Sequence, residues 1–197
     1  MNQKGISEIV SIVLIILVTI SAVALLAGII IPYTNKKLDS GTECFSYNTG
    51  YFQFEDDIEN LNYNCYQTIS GDSSDPSSKT NRLYGFSIKE DEVDEKVSEK
   101  VSSFNLVLTG NMSSTTLNIN ASSKSQDISE LGGARGNYPI VSLGETITYV
   151  YNETFLASES RQIYNRADVY VILKSGKVCD ISDTIVIRQC SPGVSLI

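Results

Sequence analysis

Apolar residues run almost without interruption from Ile6 to Ile31, and Glu8 is the one charge among them. At ~1.5 Å per residue this stretch reaches roughly 39 Å as a helix, more than a hydrocarbon core of about 30 Å requires. It has no polar face, so the pattern predicts a helix that spans a membrane rather than one that lies on it. Pro32 predicts a boundary or kink, and Lys36-Lys37 falls where a headgroup region would begin.

Beyond the helix the pattern changes to short apolar and aromatic runs separated by turn residues. Strands are expected at Glu43–Tyr47, Tyr51–Phe54, Asn62–Tyr66, Tyr84–Lys89, Phe104–Leu108, Thr115–Asn120, Thr146–Tyr151, Asp168–Leu173, Lys177–Cys179 and Thr184–Arg188. Many strands without long intervening helices predict an antiparallel sandwich. The expected class is α+β: a hydrophobic helix over 6–35 followed by a β-sandwich-like domain over 36–197. Ser70–Lys79 reads as a surface loop. Val93, Val97 and Val101 are spaced for a short helix, although a solvated acidic loop fits Glu90–Val101 equally well.

Composition narrows the function. Charged residues make up 19% of the chain and hydrophobic ones 42%, which suits a folded domain. Setting aside Lys4 and Glu8 leaves 14 Lys plus Arg against 22 Asp plus Glu, so the net charge of -8 lies outside the helix. Such a domain lacks the basic footprint of nucleic-acid binding and has no attraction for anionic headgroups. There is no histidine, which removes imidazole bases and the common zinc sites. Eleven tyrosines and six phenylalanines, with no tryptophan, suit strands. Asp180 and Asp183 belong to no calcium-loop string, and Gly132–Gly136 lacks the Lys-Ser/Thr of a phosphate loop. No catalysis, metal or cofactor is expected.

The cysteines point to export. Cys44, Cys65, Cys179 and Cys190 contain no C-x-x-C pair and have no histidine partner, so structural disulfides are expected. Of three possible connectivities, Cys44–Cys65 with Cys179–Cys190 closes the shortest loops. Asn111, Asn120 and Asn152 head N-x-S/T sequons, glycosylation candidates on an external domain.

Glu8 needs a partner or an exit to the interface. It either snorkels at the cytoplasmic end of a plain signal anchor or faces a new α-amino group created by cleavage after Gly5. Lys4-Gly5 directly before Ile6-Ser-Glu-Ile-Val-Ser resembles the class III signal peptide of archaeal type IV pilins and archaellins. Thr-Glu-Cys-Phe after the helix, Tyr-Asn-Cys-Tyr, Tyr-Gly-Phe-Ser-Ile and Val-Cys-Asp-Ile-Ser-Asp…Arg-Gln-Cys are similar to the β-domain layout of such proteins. The resemblance implies that a prepilin-type peptidase cuts between Gly5 and Ile6, removing a leader over 1–5 on the cytoplasmic side. The helix then builds a homopolymer with the assembly machinery, and the β domain forms the outer layer of a surface filament. Bacterial relatives carry their glutamate at the fifth mature position, whereas Glu8 would be the third. Ser7 and Ser11, and Ala24 and Gly28, lie four apart and supply faces where helix backbones could approach. Two other readings stay open: a monomeric, membrane-anchored surface binding protein, and an uncleaved signal-anchored domain.

Overall fold

In the computed structural model, residues 4–47, 50–56, 61–70, 75, 78–91, 95–120, 124–156, 159 and 161–197 are described, without the side chains of 4–9, 35–42 and 95–96. The chain divides into two compact units, Met1–Phe45 and Ser46–Ile197.

The first unit is a helix, α1 (Lys4–Thr42), with Pro32 inside it. The expected end at 35 is therefore too early. A proline removes the N–H that would reach residue i−4 and crowds the same carbonyl with its ring. Here both effects fall on Gly28, which has no side chain to add to the crowding. The Thr34 hydroxyl reinforces the next turn by donating to the Ile30 and Ile31 carbonyls at 2.8 and 3.0 Å. The helix runs up to the segment expected as the first strand, Glu43–Tyr47, where a turn leads into a 3-10 helix over Phe45–Tyr47 instead.

The second unit contains β1 (Phe52–Phe54), β2 (Cys65–Ile69), β3 (Lys79–Glu90), a one-turn helix α2 (Glu95–Ser98), β4 (Val101–Thr109) and β5 (Ser114–Asn120). It continues with β6 (Ile128–Glu130), β7 (Thr146–Leu156), β8 (Arg166–Leu173), β9 (Val178–Val186) and β10 (Arg188–Gln189). One sheet has the order β10-β2-β3-β7-β6, with β1 also paired to β3, and the other is β5-β4-β8-β9. Every strand pair is antiparallel except β10 on β2, which is parallel. The α+β class, one apolar helix followed by a β-rich domain, is thus the observed architecture.

Alternating inward residues make the core. Phe104, Leu106 and Leu108 of β4 and Val169 and Val171 of β8 are fully buried, as are Phe86 and Ile88 of β3. Phe104 joins the sheets: its ring lies 4.8 Å from Phe52 of β1 and 5.6 Å from Tyr149 of β7. The open edge of β1 is closed by β9. Gly50 N–H donates to the Ser182 carbonyl, Phe52 N–H to Ser182 Oγ and Phe54 N–H to Asp183 Oδ2, all at 2.8–2.9 Å. Ser182 sits where the β8–β9 register slips, and such a bulge re-aims a side chain. The segment expected to break into two strands is therefore one bulged strand followed by β10.

The C-terminal tail covers the outer face of the first sheet. Val194 and Leu196 pack with Cys65, Leu83 and Val150. Gly85 lets the tail approach: a Cβ there would lie 2.3 Å from the Tyr63 carbonyl oxygen and 2.6 Å from Leu196 Cδ2.

Candidate functional site

The surface that demands a functional explanation is α1. From Val10 to Thr34 it carries 25 residues, long and apolar enough to cross a membrane, and all of them are exposed. Ile15 is 63% exposed, Ile16 49%, Leu17 58% and Val18 60%, and consecutive residues step about 100° around a helix, so every side is open. At roughly 100 Å² for each exposed Val, Ile and Leu, about 1,500 Å² of apolar surface would face water, worth on the order of 40 kcal/mol at ~25 cal/mol per Å². That exceeds the ~5–15 kcal/mol net stability of a whole domain. The helix is therefore suited to a membrane, as an anchor or a signal. Its hydroxyls suit that setting, because Thr19 and Ser21 donate to the carbonyls of Ile16 and Leu17 within the helix.

Lys4, Gly5, Ile6, Ser7 and Glu8 lie in the first turns of α1, and their side chains fall outside the described residues. Ser11, Ala24 and Gly28 are exposed on the helix surface. A Cβ added at Gly28 would meet nothing within 4 Å, so the room for a close neighbour is present.

The expected disulfide pairing is wrong. Cys65 is bonded to Cys190, with Cα atoms 4.8 Å apart and a sequence separation of 125. The parallel pairing of Arg188 with Cys65 and Gln189 with Tyr66 brings the distant segment alongside, and Cys190 N–H donates to the Tyr66 carbonyl. Strand pairing, not loop length, decides the partner. Cys44 and Cys179 are also disulfide-bonded.

The three sequons are not equivalent. Asn111 is exposed at the tip of the β4–β5 hairpin. Asn120 closes β5 and is half-buried. Asn152 lies inside β7, paired across to Leu83, with its N–H donating to the Asp127 carbonyl.

Charged groups inside the β domain, which sequence reasoning missed, are held in structural networks. Arg82 and Glu153 face each other across β3 and β7 at 3.4 Å, both nearly sealed from solvent. Arg82 also donates to the Gln162 carbonyl at 3.0 Å and lies 4.9 Å from the Phe155 ring, while Arg161 reaches Glu153 at 3.7 Å from the surface. Burial raises the Glu153 carboxyl above its ordinary range, and the two guanidinium groups oppose that rise. Glu90, buried at the end of β3, accepts from the hydroxyls of Tyr51 and Ser98. Burial also pushes up the phenols of Tyr51, Tyr84, Tyr149 and Tyr151, the last to about 12.

A groove of about 440 Å³ between β2 and the β9–β10 corner is lined by Asn62, Asn64, Arg188 and Gln189. The Asn64 amide already has partners: Asn64 Nδ2 donates to the Glu55 carbonyl, and Asn64 Oδ1 accepts from Ser87 N–H.

No family profile matches the chain, and no curated protein matches it. A Northeast Structural Genomics Consortium target, SoR45, solved by X-ray crystallography, aligns with 66% of this chain and 85% of its own at 13% identity. Its TM-score is 0.30, a likeness too low to assign a fold or a role.

Proposed function

We propose that this chain is a pilin-like structural subunit of an archaeal type IV pilus-like surface filament. A prepilin-type peptidase removes residues 1–5, and the mature protein polymerises through α1 with the help of the membrane assembly machinery. The supporting observation is a fully exposed apolar helix of 25 residues on a disulfide-bonded β domain. The helix is soluble in lipid before assembly, and the same surface is buried between copies afterwards. In this reading the N terminus is cytoplasmic before assembly, Glu8 contacts the α-amino group of a neighbouring Ile6, and Ser7, Ser11, Ala24 and Gly28 admit close helix packing. The subunit has no catalytic role.

The test is electron microscopy of native cells labelled with antibody to the β domain, in wild type and in Gly5→Leu. Decorated filaments are expected in wild type, whereas Gly5→Leu should leave unprocessed protein in the membrane and no filaments. Label spread over wild-type cell bodies, without filaments, would indicate a membrane-anchored monomer instead.

A further inference from the structure

The two outer faces of the β domain differ in cover. On the first sheet the C-terminal tail buries Val194 and Leu196 over Leu83 and Val150. The second sheet has no such cover among the described residues: Val178 is 53% exposed, Val186 60% and Ile181 37%. The register sets Ile181 beside Tyr170 and Val178 beside Ile172, so these side chains form one apolar patch. Across β4 and β5 the same face continues with Asn105 and Asn118, whose amides are bonded at 2.8 Å, and then with Val107 and Thr116. The charges on β8 that share this face are Arg166, at the strand's start, and Asp168, which pair at 2.8 Å, with Asp180 exposed on β9. The edge strand β5 reads Ser-Thr-Thr-Leu-Asn-Ile-Asn. It contains no proline and none of the charged residues that ordinarily guard a free edge.

Outside α1 the chain carries the whole excess of acidic residues. Domains of one sign repel, so copies that must lie side by side meet with least opposition on a near-neutral face. Size identifies the occupant more narrowly. Four strands at ~4.8 Å spacing and about seven residues at ~3.4 Å give a footprint of roughly 450 Å². That is about half of the ~800 Å² per partner that a free-standing complex uses. It is too small to capture a protein from solution, and adequate for a neighbour already held at high local concentration by a second attachment. In a filament, α1 is that attachment.

We propose that the outer face of the β5-β4-β8-β9 sheet docks against the β domain of a second copy of this chain in the same filament. The proposal rests on the filament reading above.

The test is filament yield from native cells expressing the full-length chain. Val178→Glu with Thr116→Glu places two carboxylates on the face, Ser114→Glu with Thr116→Glu places them along the β5 edge, and Ser142→Glu with Ser191→Glu places them at exposed sites elsewhere. The first two variants should lower shed filaments at least tenfold, while mature protein of the expected mass and trypsin-resistant β domain stay at wild-type level in the membrane. The third variant, and the conservative Val178→Thr with Thr116→Asn, should assemble normally. Filaments from the first two variants at wild-type yield would overturn the proposal, as would equal loss in the third, which would mark general repulsion. Intact filaments that have lost attachment to surfaces would also overturn it, because the face would then meet a foreign surface. A wild-type strain without filaments would instead overturn the filament reading itself.

Discussion

The Arg82–Glu153 pair gives the sharpest test of the β domain's interior. Arg82→Met leaves the Glu153 carboxylate sealed in the sheet with only half-exposed Arg161 at 3.7 Å to balance it. Removing one partner of a buried pair costs ~3–5 kcal/mol, and the remaining Arg161 contact brings the expected loss to about 2–4 kcal/mol. Glu153→Leu strands the Arg82 guanidinium against the Gln162 carbonyl and the Phe155 ring, for a loss of about 2–3 kcal/mol. The double variant restores an apolar cross-strand pair and should lie within ~1 kcal/mol of wild type, so the coupling should reach at least ~3 kcal/mol. Proton linkage supplies a second signature. Arg82 is a main opponent of the rise in the Glu153 carboxyl, so its loss moves that carboxyl further up. A carboxyl raised in the folded state binds its proton before the unfolded chain does, so Arg82→Met should regain stability as pH falls from 7 towards 5. Urea unfolding of the full chain in non-ionic detergent, followed by tyrosine near-ultraviolet circular dichroism, reads both. Additive single losses, or an Arg82→Met variant with the pH response of wild type, would refute the reasoning.

Four buried phenols predict alkaline unfolding. Above pH 10 the unfolded chain releases protons that Tyr51, Tyr84, Tyr149 and Tyr151 retain when folded, so stability should fall by ~1.4 kcal/mol per pH unit for each of them, towards their folded values. Tyr51→Phe should make that decline shallower, and a flat profile from pH 10 to 11.5 in urea titrations would count against these burial assignments. Gly85→Ala drives a Cβ into the Tyr63 carbonyl and Leu196, for an expected loss of ~2–3 kcal/mol and faster carboxypeptidase release of the tail. Wild-type trimming kinetics would show that the tail does not rest there. A non-reducing peptide map should yield a Cys65–Cys190 cross-link, and a Cys44–Cys65 peptide would contradict the parallel β10–β2 pairing.

Much of the architecture was legible because hydrophobic pattern reports burial directly. The continuous apolar run marked α1, and short apolar and aromatic runs between turn residues marked the centres of β3, β4, β5, β7 and β8. The misses have local causes. Thr80-Asn81-Arg82 and Asn152-Glu153-Thr154 look like loop, yet they extend β3 and β7 because their opposite charges meet across the strands. Asp180 and Asp183 hide the continuity of β9, where a bulge turns Ser182 towards the β1 edge. Pro32 suggested a helix end, but its effects fall on Gly28. The Cys65–Cys190 bond was unreadable because its closeness comes from a parallel pair between segments far apart in sequence. On the functional side, the apolar surface of α1 was legible in full, whereas the near-neutral outer face depends on which residues share a side of the second sheet.

The filament claim is tested most directly by N-terminal sequencing and intact mass of the protein in filaments sheared from native cells. The account predicts a mature chain beginning at Ile6, lacking residues 1–5 and retaining all of α1. A chain that still begins at Met1, or that is found in membranes and never in sheared filaments, would contradict it.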